Sequence, residues 1–286
     1  MHEERCPDIG PICEQRDEPP QLHDQMFYVG ELRPVFELGI TDNFSFELQV
    51  PFKLSGTTVK YRRLDGTVFE PDYPNIHHRN EALAGIGDPT ASLRTIWKWG
   101  RLIAGGHAGF TLPVGRTEPN PFALGRGGLA HQHIQFGTGT ANPALAIDLA
   151  IPLGKFHLRG YGQAQWVLYE NEKGYRAGHR FAAGVLGDGP IVGDLEGSLS
   201  VDVNNEQPER WNGQVEQDGN LGRTDLLVGA GLAYPLGSFR LSLAVKVPVY
   251  QHIIVSAGHD EGQLTYPAIV TLGLQRTFEL ATGPTP

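Results

Sequence analysis

Phe44-Ser45-Phe46-Glu47-Leu48-Gln49-Val50-Pro51-Phe52-Lys53-Leu54 alternates apolar and polar residues without a break. Successive residues of a strand point to opposite faces. One face of this run therefore carries Phe44, Phe46, Leu48, Val50, Phe52 and Leu54, and the other carries Ser45, Glu47, Gln49, Pro51 and Lys53. The preceding run behaves the same way. Tyr28, Leu32, Phe36, Leu38 and Ile40 share one face against Glu31, Arg33 and Glu37, and Thr41-Asp42-Asn43 turns one run into the next. Each run holds roughly ten or more residues of period two, the length a tilted strand needs to cross a bilayer. Residues 26–54 thus read as one hairpin of a membrane β-barrel.

The rest of the chain repeats that hairpin. Ala91, Leu93, Thr95, Trp97 and Trp99 alternate along a strand that turns at Gly100-Arg101 and returns with His107 and Thr111 on the polar face. Leu145, Ile147, Leu149, Ile151 and Leu153 turn at Gly154-Lys155, and the return strand sets His157, Arg159, Tyr161, Gln163 and Gln165 inward. A weaker strand near 178–187 is expected to turn at Asp188-Gly189-Pro190 into Leu195, Leu199, Val201 and Val203, backed by Glu196, Ser198, Ser200 and Asp202. Leu226 to Tyr234 turns at Gly237-Ser238. The strand from Phe239 to Val249 places Arg240, Ser242, Lys246 and Tyr250 on the polar side, and Leu264 to Phe278 reads as the last strand. A small hairpin is expected around Leu64-Asp65-Gly66-Thr67.

About eleven strands are readable in this way, with very short turns alternating with long polar connections at 55–88, 115–140 and 204–223. Period two alone does not say whether the apolar face meets a core or lipid. Short turns at one rim and long loops at the other do, because that asymmetry marks an outer-membrane barrel. Phe44, Trp97, Trp99, Phe156 and Phe239 all sit beside the short turns, where an aromatic girdle belongs. The expectation is an all-β fold: a transmembrane antiparallel β-barrel of about twelve strands, with short periplasmic turns and long extracellular loops. It spans 26–280, between a polar lead at 1–25 and a tail at 281–286. Barrels of this kind carry an even strand number, so either a twelfth strand precedes Met26, from a start upstream of this sequence, or one is hidden at 55–88 near the Asp65-Gly66 hairpin.

Composition narrows the alternatives. Forty per cent of the 286 residues are apolar and no apolar run reaches eighteen residues, which excludes a transmembrane helix. The net charge of −9, with no long basic stretch, argues against nucleic acid as a partner. Membrane lipid and a small-molecule solute are the expected partners. The N-terminal Met1-His2-Glu3-Glu4-Arg5 has no apolar signal core, so an outer-membrane address implies a mature form or an upstream start. Cys6 and Cys13 either close a small loop in an oxidising compartment or stay as two thiols.

Gly85-Ile86-Gly87-Asp88, Leu112-Pro113-Val114-Gly115 and Gly137-Thr138-Gly139, with x-Pro-x-Gly recurring at Ile151-Pro152-Leu153-Gly154 and Tyr234-Pro235-Leu236-Gly237, resemble the outer-membrane transporter family associated with the meta-pathway of phenol degradation. The resemblance implies an outer-membrane barrel that passes hydrophobic or aromatic compounds.

The polar face supplies the candidate pore-lining residues: Glu31, Arg33, Glu37, Glu47, Lys53, Arg94, His107, Asp148, Arg159, Glu196, Asp202, Arg240 and Lys246. They act either as a selectivity-setting field or as an ion-pair network that fills a closed barrel. His77-His78 and His131-Gln132-His133 lack a completing carboxylate or thiol set, so they are expected to be solvated loop residues; no metal and no cofactor are expected. His107 and His157 are expected to be hydrogen-bonded lumen residues. A barrel enzyme of lipase or protease type competes, yet no Gly-x-Ser-x-Gly elbow occurs, and His259-Asp260-Glu261 is only a weak pair. A soluble β-sandwich binding module is the other competing class. The residues favour a channel without catalytic groups.

Overall fold

The structure, a computed structural model, describes residues 2–4, 21–71, 75–76, 78–255 and 264–279. Cys6, Cys13, His77 and His259-Asp260-Glu261 lie outside the described residues. The elements run β1 (His2–Glu4), β2 (Gln21–Leu32), β3 (Val35–Gly39), β4 (Phe44–Gln49), β5 (Phe52–Arg63), β6 (Val68–Phe69), β7 (Glu81–Ile86), β8 (Thr90–Trp99), β9 (Leu102–Thr111) and α1 (Pro121–Arg126). There follow β10 (Asn142–Leu153), β11 (Phe156–Gln165), β12 (Tyr175–Arg176), β13 (Arg180–Val192), β14 (Leu195–Glu206), β15 (Arg210–Trp211), β16 (Arg223–Leu236), β17 (Phe239–Ile253) and β18 (Ile269–Arg276). No helix is long and apolar enough to cross a membrane.

One continuous antiparallel sheet runs β18-β17-β16-β14-β13-β11-β10-β9-β8-β4-β3, and a second joins β1, β2, β5, β6 and β7. The two sheets share their chains. β2 continues into β3, β4 into β5 and β7 into β8. Counted as crossings, the described strands number eleven, as the pattern reads. β3 and β18, the edges of the long sheet, run in the same direction, and among the described residues no ladder joins them. Antiparallel closure between them takes one upward strand. β1 pairs antiparallel with the start of β2, on the side of β2 away from β5.

Burial decides which way the apolar face looks. Phe46 is 39% exposed, Ile147 62%, Leu149 45% and Leu243 39%, so none is sealed in a dry centre. Along β10 the exposed and half-buried positions alternate from Leu145 to Leu153, with Ala146, Asp148 and Ala150 on the less exposed face. Phe44, Trp97, Trp99, Phe156 and Phe239 stand exposed at the short-turn rim, Phe44 edge-on to Trp97 at 6.0 Å. An apolar band faces outward, and the polar faces of opposite strands converge on one interior.

Three expectations need correction. The first long strand begins at Gln21, inside the stretch read as a polar lead, because a strand end beyond the lipid has no need of apolar alternation. Asp188-Gly189-Pro190 is no turn. β13 runs through it to Val192, pairing Asp188 with Ser198 and Pro190 with Glu196 before a bulge between Pro190 and Val192, and the chain reverses at Gly193, which has φ 55°. Tyr250 faces outward at 56% exposure. The register shifts where Leu226 pairs with Tyr250 and Leu227 with Pro248, so one extra residue changes the face. The small hairpin at Leu64–Thr67 is present: Arg63 N–H donates to the Thr67 carbonyl at 2.8 Å and Gly66 adopts φ 87°.

Ile147 stands six residues above the Leu153 turn, near mid-bilayer at about 2.3 Å of height per tilted residue. Ile147→Arg should lower stability by about 2–4 kcal/mol, and Leu153→Arg by no more than about 1 kcal/mol. Equilibrium urea unfolding of the protein folded into lipid vesicles reads the difference, and equal costs would refute the outward face.

Candidate functional site

Prolines interrupt three neighbouring strands at one level. Pro34, Pro51 and Pro89 occupy the breaks β2/β3, β4/β5 and β7/β8. A proline has no N–H to give to a ladder, but its carbonyl still accepts. Val50 N–H bonds to Pro34 O at 3.0 Å, Gly87 N–H to Pro51 O at 2.8 Å, and Leu112 N–H to Pro89 O at 2.7 Å. Below this seam β8 pairs with β9 in full register. Above it, among the described residues, β7 pairs only with β5, and the chain leaving β9 takes the other side: Arg116 N–H reaches Ile86 O at 3.3 Å.

The connection 112–141 then folds back into the barrel, and Asp88 holds it there. One Asp88 oxygen accepts Gly115 N–H at 2.9 Å. The other accepts the N–H and hydroxyl of Thr138 at 2.6 and 2.7 Å. Gly115 and Gly137 meet so closely that a Cβ on either would lie 2.6 Å from the other's Cα. The three glycine motifs quoted above are therefore one structure in space, closed around one carboxylate. Thr138 leads into a buried polar knot. The Asn142 amide donates to Thr111 Oγ1 at 3.0 Å and Thr138 Oγ1 at 2.8 Å, and Thr140 Oγ1 donates to Asn142 Oδ1 at 2.9 Å. Lys53 Nζ adds a bond to Phe136 O at 2.9 Å.

Beneath the loop lies a cavity of about 650 Å³. Its walls come from opposite strands: Glu31 and Arg33, Glu47, Lys53, His107, Asp148, Tyr161, Asn204, Arg223 and Asp225, with Gln135, Phe136, Gly137 and Thr138 from the loop. Of the candidate residues, Glu31, Arg33, Glu47, Lys53, His107 and Asp148 line it. The other seven sit on the same inward face in cross-strand pairs. Arg94 meets Glu37 at 3.0 Å, Arg159 meets Asp188 at 2.7 Å, Lys246 meets Asp202 at 2.8 Å, and Arg240 bonds Glu196. His157 lies 3.1 Å from Asp188.

Reading by pattern missed several partners. Asp188 was hidden by the misplaced turn. Arg180–Glu206 at 2.9 Å lies at the loop ends of its strands. Arg223 grips both oxygens of Asp225 at 2.9 and 3.0 Å while Tyr266 donates to the same carboxylate at 2.8 Å, so Tyr266 points inward against the expected outward face. Asp88 was inside a quoted motif, yet only contacts across 27 and 50 residues reveal its role.

The extracellular connections have a small core of their own: Val167, Tyr175, Ala177 and Trp211, against which Phe122 of α1 packs. Phe122 stands edge-on to His133 at 5.1 Å. His78 and His131 are buried rather than solvated, whereas His133 stands exposed as expected. His78 is 6% and His131 8% exposed, and His78 Nδ1 lies 2.8 Å from His23 Nδ1. Partial desolvation of its ring, then His131 and His78, push the His133 imidazole down to about 4 from 6.5. Burial likewise pushes the Glu209 carboxyl up. Among the described residues no three His, Cys, Asp or Glu are arranged to hold a metal ion.

No protein-family model matches the chain, and no curated protein matches it. Among solved structures it is similar to the COG4313 outer membrane channel of Pseudomonas putida F1, with a TM-score of 0.56 and 13% identity over 87% of this chain and 82% of that one. It also aligns with OmpT, an outer membrane protein of Vibrio cholerae, lacking loop L8, at a TM-score of 0.40 and 10% identity over 79% and 94% of the two chains. The fold is that of a bacterial outer-membrane β-barrel. At these identities the likeness speaks for fold.

Two outcomes test the site. Asp88→Ala should free the 112–141 connection, since its three charge-assisted bonds are worth about 1.5–3 kcal/mol each. Faster cleavage between residues 112 and 141 by added protease, with heat-resistant barrel mobility unchanged, is the expected result. His133 binds its proton more weakly folded than unfolded, so its share of stability is present above about pH 6.5 and is lost as pH falls toward about 4, and because the residue is exposed, solvent screening keeps that loss small. Near-ultraviolet circular dichroism of the Trp211 core should fade over that window, and His133→Gln should flatten the dependence.

Proposed function

We propose that the protein is an outer-membrane channel that lets small solutes, hydrophobic and aromatic ones among them, diffuse through the barrel interior. The observation that carries this is the cavity: polar side chains from opposite walls surround open space, and a loop latched by Asp88 narrows it from the extracellular side. Similarity in fold to the COG4313 outer membrane channel supports the same reading. The aromatic part of the proposal rests on the resemblance in the glycine motifs and on the rings of Phe136, Tyr161, Tyr175 and Phe181 among the cavity walls. Lipid outside and solute inside are the partners this reading requires.

The inward hydroxyls favour transport over catalysis. Ser45 donates to Glu37 at 2.6 Å and Ser200 to Asp202 at 2.8 Å, so each is engaged by a carboxylate and not activated by a histidine. A nucleophile needs a base beside it.

The test is reconstitution of the full chain in liposomes, with swelling measured in solutes of graded size, benzoate-sized aromatics included, and ester and peptide turnover assayed on the same vesicles. Flux without turnover is expected, faster in Asp88→Ala. Turnover without flux would replace the channel by an enzyme.

A further inference from the structure

The lumen charges pair off almost completely. Arg33 with Glu31, Arg94 with Glu37, Arg159 with Asp188, Arg180 with Glu206, Arg223 with Asp225, Arg240 with Glu196 and Lys246 with Asp202 all lie within ion-pair distance. Lys53 and Asp88, both on the cavity wall, offset one another. Two carboxylates remain, Glu47 and Asp148, and among the described residues the base within 4 Å of both is an imidazole. His107 Nδ1 lies 3.8 Å from Glu47 Oε1, and its Nε2 lies 3.3 Å from Asp148 Oδ2.

Strand register builds this group. His107 of β9 is level with Arg94 of β8 and Ala146 of β10, and Glu47 of β4 is level with Ser92, next along β8 from Arg94 on the same face. Glu47 is 6% exposed and also accepts Gln49 Nε2 at 2.7 Å, whereas the Asp148 side chain is half exposed to the cavity. Beside them are Arg94, already committed to Glu37, and Tyr161 of β11, which is level with Asp148 and donates to Asp202 at 2.7 Å. With His107 neutral the group carries two negative charges, and with His107 protonated it carries one.

From this geometry we propose that Glu47, His107 and Asp148 are the selectivity filter of the channel: they favour cationic solutes over anionic ones, and the preference weakens when His107 gains a proton. The inference rests on the channel reading above. A narrow lumen between low-dielectric walls focuses the field of an unbalanced charge, and rings of carboxylate select cations. Histidine is the side chain that ordinarily changes charge between about pH 5 and about pH 8. Among small aromatic solutes, an amine should therefore pass ahead of a carboxylate of the same size.

Single channels of the full chain in planar bilayers under a potassium chloride gradient test this through the reversal potential. Cation preference at about pH 8 is expected, with the permeability ratio falling about twofold or more by about pH 5. His107→Gln should keep the preference and lose its pH dependence. Asp148→Asn, at a half-exposed position, should lower the preference at both values and serves if the first variant does not fold. Currents with no cation preference, or with a preference indifferent to Asp148→Asn, would overturn the filter and leave the channel intact. Absence of current in correctly folded protein would overturn both.

Discussion

Inside hydrocarbon a backbone N–H has no water to turn to, so every strand must hand its hydrogen bonds to a neighbour. That demand explains the sheet from β18 round to β3, in which each strand pairs with the next in antiparallel register over most of its length. It also explains the short turns. Gly100, Gly154, Gly193 and Gly237 all have positive φ, which lets the chain reverse within two residues and keeps the ladder intact to the rim. A proline is the one residue that breaks this demand from within, and three adjacent strands carry one at the same height.

What happens at the seam follows from the same demand. The proline carbonyls keep one bond each, so the wall bends without parting. β7, however, loses β9 as a neighbour, and its outer edge would be left open. The chain leaving β9 fills that edge, and Asp88 substitutes a carboxylate for the missing ladder, taking three donors from Gly115 and Thr138. The glycines are required by proximity: with Gly115 and Gly137 in mutual contact there is no room for a side chain. Bending the wall and narrowing the lumen are thus a single event.

How much of this the sequence discloses depends on whether lipid sets the pattern. Where a strand crosses the apolar band, as from Leu145 to Leu153, alternation is enforced and readable. Beyond the band it is not, so β2 above Met26 and β7 escape notice, and Leu264 and Tyr266 pass for strand when they are loop, with Tyr266 aimed at Asp225. Bulges defeat the pattern for another reason. One inserted residue inverts the face of everything after it, as at Tyr250, and a proline that pairs as Pro190 does looks like a turn. The inward residues were identifiable as a face, but their partners were not. Strand neighbours 31 to 57 residues apart decide who meets Asp188 or Glu37, and register across a loop is invisible to local spacing.

The distribution of charge then separates structure from function. Exposed or half-exposed ion pairs contribute little to stability, and Arg159, Arg180 and Arg240 have side chains 55, 51 and 44% exposed to the wet interior. The sheet does not depend on them, because the backbone ladder from β18 round to β3 forms without them. Their effect is to cancel one another's field along the lumen wall. Against that neutral background an unmatched pair of carboxylates stands out electrically more than it would on an open surface, since the nearest cation, Arg94, is already paired with Glu37 and low-dielectric walls confine the field to the water path. In the proposed filter, near-neutrality elsewhere is what would give Glu47 and Asp148 their leverage, and it would make the single proton on His107 a large fraction of the net charge that a passing solute meets.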